Sequence, residues 1–369
     1  MTNSWGSAIF AESSPACSRS PFRTRSIPLT KAPGELVAAI ASLLSVPQAK
    51  LQRRPRPLRL VHYHHDPFDY NMMAWPTLAG SSQQTLVMIL DTVSSETTLH
   101  TCTLTYRMCY DYQASSTYKQ LSPDTASDVI QDVMSNNHNV TFVTKTNLPV
   151  AIGGILGLGP SGQVSYPGVT PTIDWWFQKT PRKAFAMWLG KEECRGQMQM
   201  GELELCKEAD PNVTPIFLPS TSKKYWQFAV KGAELGGVKT STSQVVIATA
   251  KDYIGMPKKF LKEFTAKYSI PWDGLYGAYT LDCNATSTLP NLNFQVDGGT
   301  ITIRPGQYIY TEKPLPNGKC VLDMEDSKTY GFGPEWYFGL QIIQDYCVSF
   351  DFEKQRIGFT KNMQPAGNC

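Results

Sequence analysis

No stretch of the 369-residue chain reaches about 18 consecutive apolar residues, so the sequence offers no candidate membrane-spanning helix. An excess of charge of one sign is also missing. With 34 Lys and Arg against 31 Asp and Glu the net charge is +3, too small to point to a nucleic-acid partner. Much of the positive charge sits at Lys50, Arg53, Arg54, Arg56 and Arg59, which read as a solvated stretch rather than a binding patch. Helix signals are sparse. The best covers residues 258–268, where Phe260, Leu261, Phe264 and Tyr268 fall at helical spacing and read as core packing. The nine cysteines lie far apart and lack tight ligand spacing, so no metal site is expected, and His62, His64 and His65 read as an exposed linker cluster. Nothing implies a cofactor.

What the chain does have is turns. Its 27 Gly, 26 Pro and 11% aromatic content suit short strands with many connections. Residues 69–90 read as a hairpin turning at Gly80-Ser81-Ser82, and residues 294–303 as another turning at Asp297-Gly298. Residues 140–143, 185–189, 198–205 and 225–230 read as further strands. Two segments share a pattern. Leu86-Val87-Met88-Ile89-Leu90 runs into Asp91-Thr92-Val93-Ser94-Ser95, and Val245-Val246-Ile247 runs into Ala248-Thr249-Ala250-Lys251-Asp252. Each is a buried strand ending in a polar turn.

These segments resemble the two active-site strands of the pepsin-like aspartic proteases, whose turns read Asp-Thr-Gly-Ser/Thr. Several other motifs follow in that family's order. They are Tyr110-Asp111-Tyr112-Gln113-Ala114-Ser115-Ser116-Thr117-Tyr118, Ile152-Gly153-Gly154-Ile155-Leu156-Gly157-Leu158-Gly159, Trp336-Tyr337-Phe338-Gly339, and the closing Phe350-Asp351-Phe352 with Arg356-Ile357-Gly358-Phe359. Together they are specific, cover roughly residues 67–361, and look closest to nematode members. The resemblance implies an all-β, bilobal fold with a central cleft and few short helices. It divides the chain into a prosegment-like extension at 1–66, an N-terminal lobe at 67–181 and a C-terminal lobe at 182–369. It also implies disulfides Cys102–Cys109 and Cys283–Cys320. A third bridge among Cys194, Cys206 and Cys347 stays open, as does any partner of Cys369. Asn139 and Asn284 head glycosylation sequons expected in surface loops, with Asn212 a weaker one before Pro215.

In that family two carboxylates share a proton and hold a water, one accepting its proton while the other donates to the peptide carbonyl. Here Asp91 is the remaining acid and Ala248 stands at the second position. Val93 replaces the glycine of the first turn, and Thr98 replaces a tryptophan that backs the family's flap. The flap hairpin itself looks excised, since residues 119–150 contain no tyrosine. Thr92 and Thr249 are kept at positions whose hydroxyls bond across the lobes in the family, and Asp252 reads as a solvated or turn-capping acid. The expected function is a pepsin-like homologue, impaired or inactive as a protease, a monomer holding a peptide or protein in its cleft. The alternative is an active aspartic endopeptidase whose sequence is defective through a skipped flap exon. The family implies a secreted or lysosomal protein, although no signal peptide is evident at the N-terminus and Ile27-Pro28-Leu29-Thr30-Lys31 looks like the start of a propeptide.

Overall fold

A computed structural model describes residues 58–59, 61–65, 70–102, 109–132, 136–146, 153–162, 164–189, 196–209, 214–329 and 333–361. Cys17, Cys194, Cys369, Asn212 and the propeptide-like residues 27–31 lie outside them, as do the side chains of His62, His64 and His65. Strands dominate. The N-terminal lobe is an eight-stranded sheet, ordered Val61–His65, Tyr70–Ala79, Gln84–Asp91, Gly154–Gly157, Thr97–His100, Asn137–Lys145, Thr125–Gln131 and Lys119–Ser122. The C-terminal lobe is built around a five-stranded sheet, ordered Gln227–Val230, Ser243–Ile247, Trp336–Phe338, Ile254–Met256 and Met324–Asp326, with two four-stranded sheets beside it.

The two lobes repeat one uncommon arrangement. Gly154–Gly157 lies between Gln84–Asp91, which it pairs in parallel, and Thr97–His100, which it pairs antiparallel. Trp336–Phe338 lies in the same way between Ser243–Ile247 and Ile254–Met256. Parallel strands buried on both faces need apolar runs, which is why Met88, Leu90, Val245, Ile247, Trp336 and Phe338 are all buried. The inserted strand then approaches the turn after the first strand so closely that only glycine fits. A Cβ on Gly157 would lie 2.6 Å from Ser94 O, and one on Gly339 would lie 2.5 Å from Lys251 O.

A six-stranded sheet, ordered Leu58–Arg59, Gly196–Met200, Ala184–Leu189, Tyr346–Asp351, Arg356–Lys361 and Ile216–Pro219, completes the domain. Phe185 stacks on Phe350 at 4.4 Å between ring centroids, and Trp226 meets Phe352 edge-on at 4.5 Å. Trp226 Nε1 also donates to Leu158 O at 2.9 Å, tying this aromatic cluster to the N-terminal lobe. Three disulfides are present: Cys102–Cys109, Cys283–Cys320 and Cys206–Cys347.

Details depart from the sequence reading in two places. Residues 198–205 are not one strand. The strand ends at Met200, Gly201 takes a positive φ of 76°, and a helix begins at Glu204. Asn139 is exposed but sits in the Asn137–Lys145 strand rather than a loop. Alternation along that strand turns Val140 and Phe142 inward and leaves Asn139 outside. Asn284 is exposed in a 3-10 turn, Cys283–Ser287.

Candidate active site

Asp91 is the last residue of its strand, and the turn that follows folds back on its carboxyl group. Val93 N donates to one oxygen at 2.9 Å, while Ser94 N, at 3.2 Å, and the Ser94 hydroxyl donate to the other. Leu158 N donates to the Asp91 main-chain oxygen at 2.6 Å, which fixes the turn against the inserted strand. The C-terminal turn is closed by different backbone bonds. Ala248 N donates to Phe338 O at 2.8 Å, and Lys251 N donates to Ala248 O at 2.9 Å. Its side chains differ in charge and size. Ala248 is a buried methyl, and Lys251 stands three residues on, where the first turn has Ser94. The Lys251 ammonium donates to Tyr253 Oη at 2.8 Å and lies 4.9 Å from the Tyr253 ring centroid.

Thr92 and Thr249 lock the turns together. Thr92 Oγ1 donates to Ile247 O at 2.7 Å, and Thr249 Oγ1 donates to Leu90 O at 2.7 Å. Thr249 N donates to Thr92 Oγ1, and Thr92 N to Thr249 Oγ1, both at 3.1 Å. Both threonines are fully buried, so this reciprocal set has no water to replace it. The threonines' exchanged hydrogen bonds thus join the two turns, which carry Asp91 and Ala248 at matching positions. The Asp91 carboxyl is held by three donors from its own turn. Ala248, at the matching position of the other turn, carries no group that can donate a proton.

Where the family's flap belongs, Lys119–Ser122 pairs with Thr125–Gln131 through a turn at Pro123 and Asp124. The hairpin is short and polar at its tip. Behind it Tyr110 Oη and Thr117 Oγ1 both donate to the buried Asp128 carboxylate, and Gln84 brackets Asp111 with two hydrogen bonds of 2.8 Å. Thr98 is buried in the Thr97–His100 strand.

Asp252 is not a solvated acid. It is half-buried and lines a cavity of about 50 Å³ in the C-terminal lobe with Asp323, and Asp91 is not among the residues lining it. The sequence signal missed there was the second acid, Asp323, which arrives only through tertiary folding. Burial, and then the nearby Glu325, push the Asp252 carboxyl up to about 6. Burial and then Asp252 drive Asp323 up as well. An acid whose pKa is higher folded than unfolded adds stability below its unfolded pKa and loses it as pH rises through the folded value. Asp351 does the opposite. Burial would raise it, but the Lys354 N–H and the Arg182 and Arg356 guanidiniums outweigh that and hold it below the ordinary carboxylate range. Its contribution is lost as pH falls through that lowered value. Urea unfolding should therefore become easier by on the order of 3 kcal/mol between about pH 4 and pH 6 from Asp252 alone. Asp252→Asn should remove that part of the slope, and an unchanged slope in the variant would assign it to other groups.

No helix among the described residues is long and apolar enough to cross a membrane, and none of their His, Cys, Asp and Glu side chains group in threes to hold a metal ion. The chain is 29% identical over 214 residues to Aspartic protease 17 of Caenorhabditis elegans, which covers 56% of this chain and 53% of that protein. It is 28% identical over 215 residues to Aspartic protease 1 of the same organism, covering 56% and 54%. To Pepsin A of Gallus gallus it is 26% identical over 217 residues, covering 56% and 55%. The chain thus spans about half the length of the curated relatives it matches. The profile of the eukaryotic aspartyl protease family matches residues 76–362, and with paired sheets meeting at two Thr-bearing turns this chain belongs to that family of pepsin-like aspartic peptidases.

Proposed function

We propose that this protein is a pepsin-like homologue without ordinary protease activity, a secreted or lysosomal monomer whose cleft holds a peptide or protein. The observation that carries the reading is Ala248, a buried methyl beside the one remaining acid, Asp91. Peptide hydrolysis needs one group to take the water's proton and another to protonate or polarise the carbonyl oxygen. General acid–base assistance is worth roughly 100- to 10,000-fold for a positioned group. Val93 crowds the approach of the backbone to the water, and a hairpin turning at Pro123 and Asp124 gives substrate little cover from solvent. Lys251 in the second turn reverses the charge that a second acid would have brought and favours an acidic or C-terminal carboxylate group in a bound chain. Asn139 and Asn284 are both exposed, so either sequon is open to glycosylation in an oxidising compartment.

The test is hydrolysis of acid-denatured globin by purified protein, with any prosegment removed, beside an Asp91→Ala control. Both should cleave at the same background rate, and a pepstatin-type inhibitor, whose hydroxyl sits between two carboxylates, should bind neither. Acid-dependent, pepstatin-sensitive cleavage that vanished in Asp91→Ala would overturn the reading and restore the active endopeptidase.

A further inference from the structure

Next to the sequon at Asn284 lies a second, larger cavity. It measures about 500 Å³ and is lined by Thr286, Asn291, Arg304, Pro305, Gly306 and Gln307. That volume falls within the roughly 300–1,000 Å³ of small-molecule sites. One wall belongs to the 3-10 turn Cys283–Ser287, and the other is residues 304–307, a segment packed on that turn. Both walls are fixed. The Cys283–Cys320 disulfide anchors the turn, Leu289 N donates to Ala285 O at 2.9 Å, and Tyr308 Oη donates to Pro290 O at 2.5 Å. Such walls need no ordering when a guest arrives.

The chemistry of the walls selects a neutral, hydroxyl-rich guest. Arg304 is the charged member, and its guanidinium is already paired: Nε donates to Asp345 Oδ2 at 3.3 Å and Nη2 donates to Asp345 Oδ1. The pair cancels charge, so a phosphate or carboxylate gains little there, while the rest of the N–H fork lies outside the pair. Asn291 brings an amide donor and acceptor, Thr286 a hydroxyl, and Pro305 apolar ring carbon. A sugar presents the matching mixture, with hydroxyls at the rim of its ring and C–H groups on the faces.

Position supplies the guest. Asn284 is exposed and opens a sequon whose last residue, Thr286, is itself on the cavity wall. Two residues span at most about 7 Å, so a sugar attached at Asn284 starts at the cavity's edge. A tethered group acts at an effective concentration on the order of millimolar, so contacts too weak to hold a free sugar suffice for this one. We infer that the cavity seats the first N-acetylglucosamine of a glycan on Asn284, against Asn291, Arg304 and Pro305. The attachment is the ordinary one: the Asn284 amide nitrogen gives up a proton and takes C1 of the sugar from a lipid diphosphate donor, which leaves as the diphosphate. The seated sugar then ties the Cys283–Ser287 turn to residues 304–307. This inference rests on the reading that the chain enters an oxidising, glycosylating compartment.

The experiment uses the full chain, secreted behind an added leader from animal cells treated with a mannosidase inhibitor, and the same chain made without glycans in the bacterial periplasm. Peptide mass spectrometry reads occupancy at Asn284. The glycosylated protein should melt several degrees above Asn284→Gln from the same cells. Trimming with endoglycosidase H to a single N-acetylglucosamine should keep that gain, and Asn291→Ala should lose at least half of it. In the bacterial protein wild type, Asn284→Gln and Asn291→Ala should melt alike, which separates the sugar's effect from the side chains'. A gain lost on trimming to one sugar would mark a pendant glycan and overturn the seat, as would a gain unchanged in both Asn291→Ala and Arg304→Lys. A glycan on Asn284 with no gain at all would overturn the seat alone. An Asn284 without any glycan would overturn the seat and the compartment reading together.

Discussion

Thr92→Val should lower the free energy of unfolding by about 2–6 kcal/mol. The hydroxyl it removes donates to Ile247 O and accepts from Thr249 N, and both partners are buried. Each buried group left without a partner costs about 1–3 kcal/mol, and two are left. Thr249→Val should cost a similar amount through Leu90 O and Thr92 N. The two hydroxyls also touch each other at 3.4 Å, so the double variant should lose less than the sum of the single ones. Thr92→Ser keeps the oxygen and should lose little. Urea unfolding of the four variants beside wild type at one pH decides the matter. A single-variant loss below about 1 kcal/mol would show that the lobes are held by the aromatic cluster alone.

The second large effect concerns backbone contact. In Gly339→Ala the new methyl would lie 2.4 Å from Tyr253 O and 2.5 Å from Lys251 O, inside any real carbon–oxygen contact. Neither oxygen belongs to a side chain that can swing aside. Moving Gly339 outward would drag Phe338, whose carbonyl receives the Ala248 N–H. We expect a loss of about 4 kcal/mol or more, the range reached only by buried collisions and similar lesions. Gly157→Ala, with contacts of 2.6 Å to Glu96 N and Ser94 O, should behave alike. Gly274→Ala, where a methyl meets nothing within 4 Å, is the control. If Gly339→Ala melted within two or three degrees of that control, the close packing of inserted strand on turn would not exist in solution.

These contacts explain how much could be read in advance. The strand ending at Asp91, the Gly154–Gly157 and Trp336–Phe338 strands and the Lys258–Lys267 helix are legible because each is a local pattern: an apolar run before a polar turn, glycines at fixed places, or a stripe at helical spacing. Features made by distant partners are not. Cys206 and Cys347 are 141 residues apart, and only the packing of the Glu204–Ala209 helix on the Tyr346–Asp351 strand brings them together. Leu58–Arg59 becomes a strand by pairing with Met198 and Gln197, which its own basic surroundings do not announce. Met198, Met200, Leu203 and Leu205 kept an apolar rhythm across a strand end that Gly201 enforces. Asp252 reads as solvated because its half-buried neighbour, Asp323, lies 71 positions further along (323 − 252).

The hydrogen bonds around Asp91 have a consequence for how such chains are judged. Its carboxylate receives two backbone N–H groups and one hydroxyl, all from the two residues of its own turn that follow Thr92. That is the work of a turn-forming acid, and it continues whether or not a substrate ever arrives. The Ala248 turn holds its backbone without such an acid, through the Lys251 N–H to Ala248 O, Ala248 N–H to Phe338 O and Leu340 N–H to Lys251 O bonds. Asp91 therefore has a structural role in its turn that is independent of any catalysis. Replacing Asp91 would loosen the turn's architecture whether or not the site has any chemistry to lose.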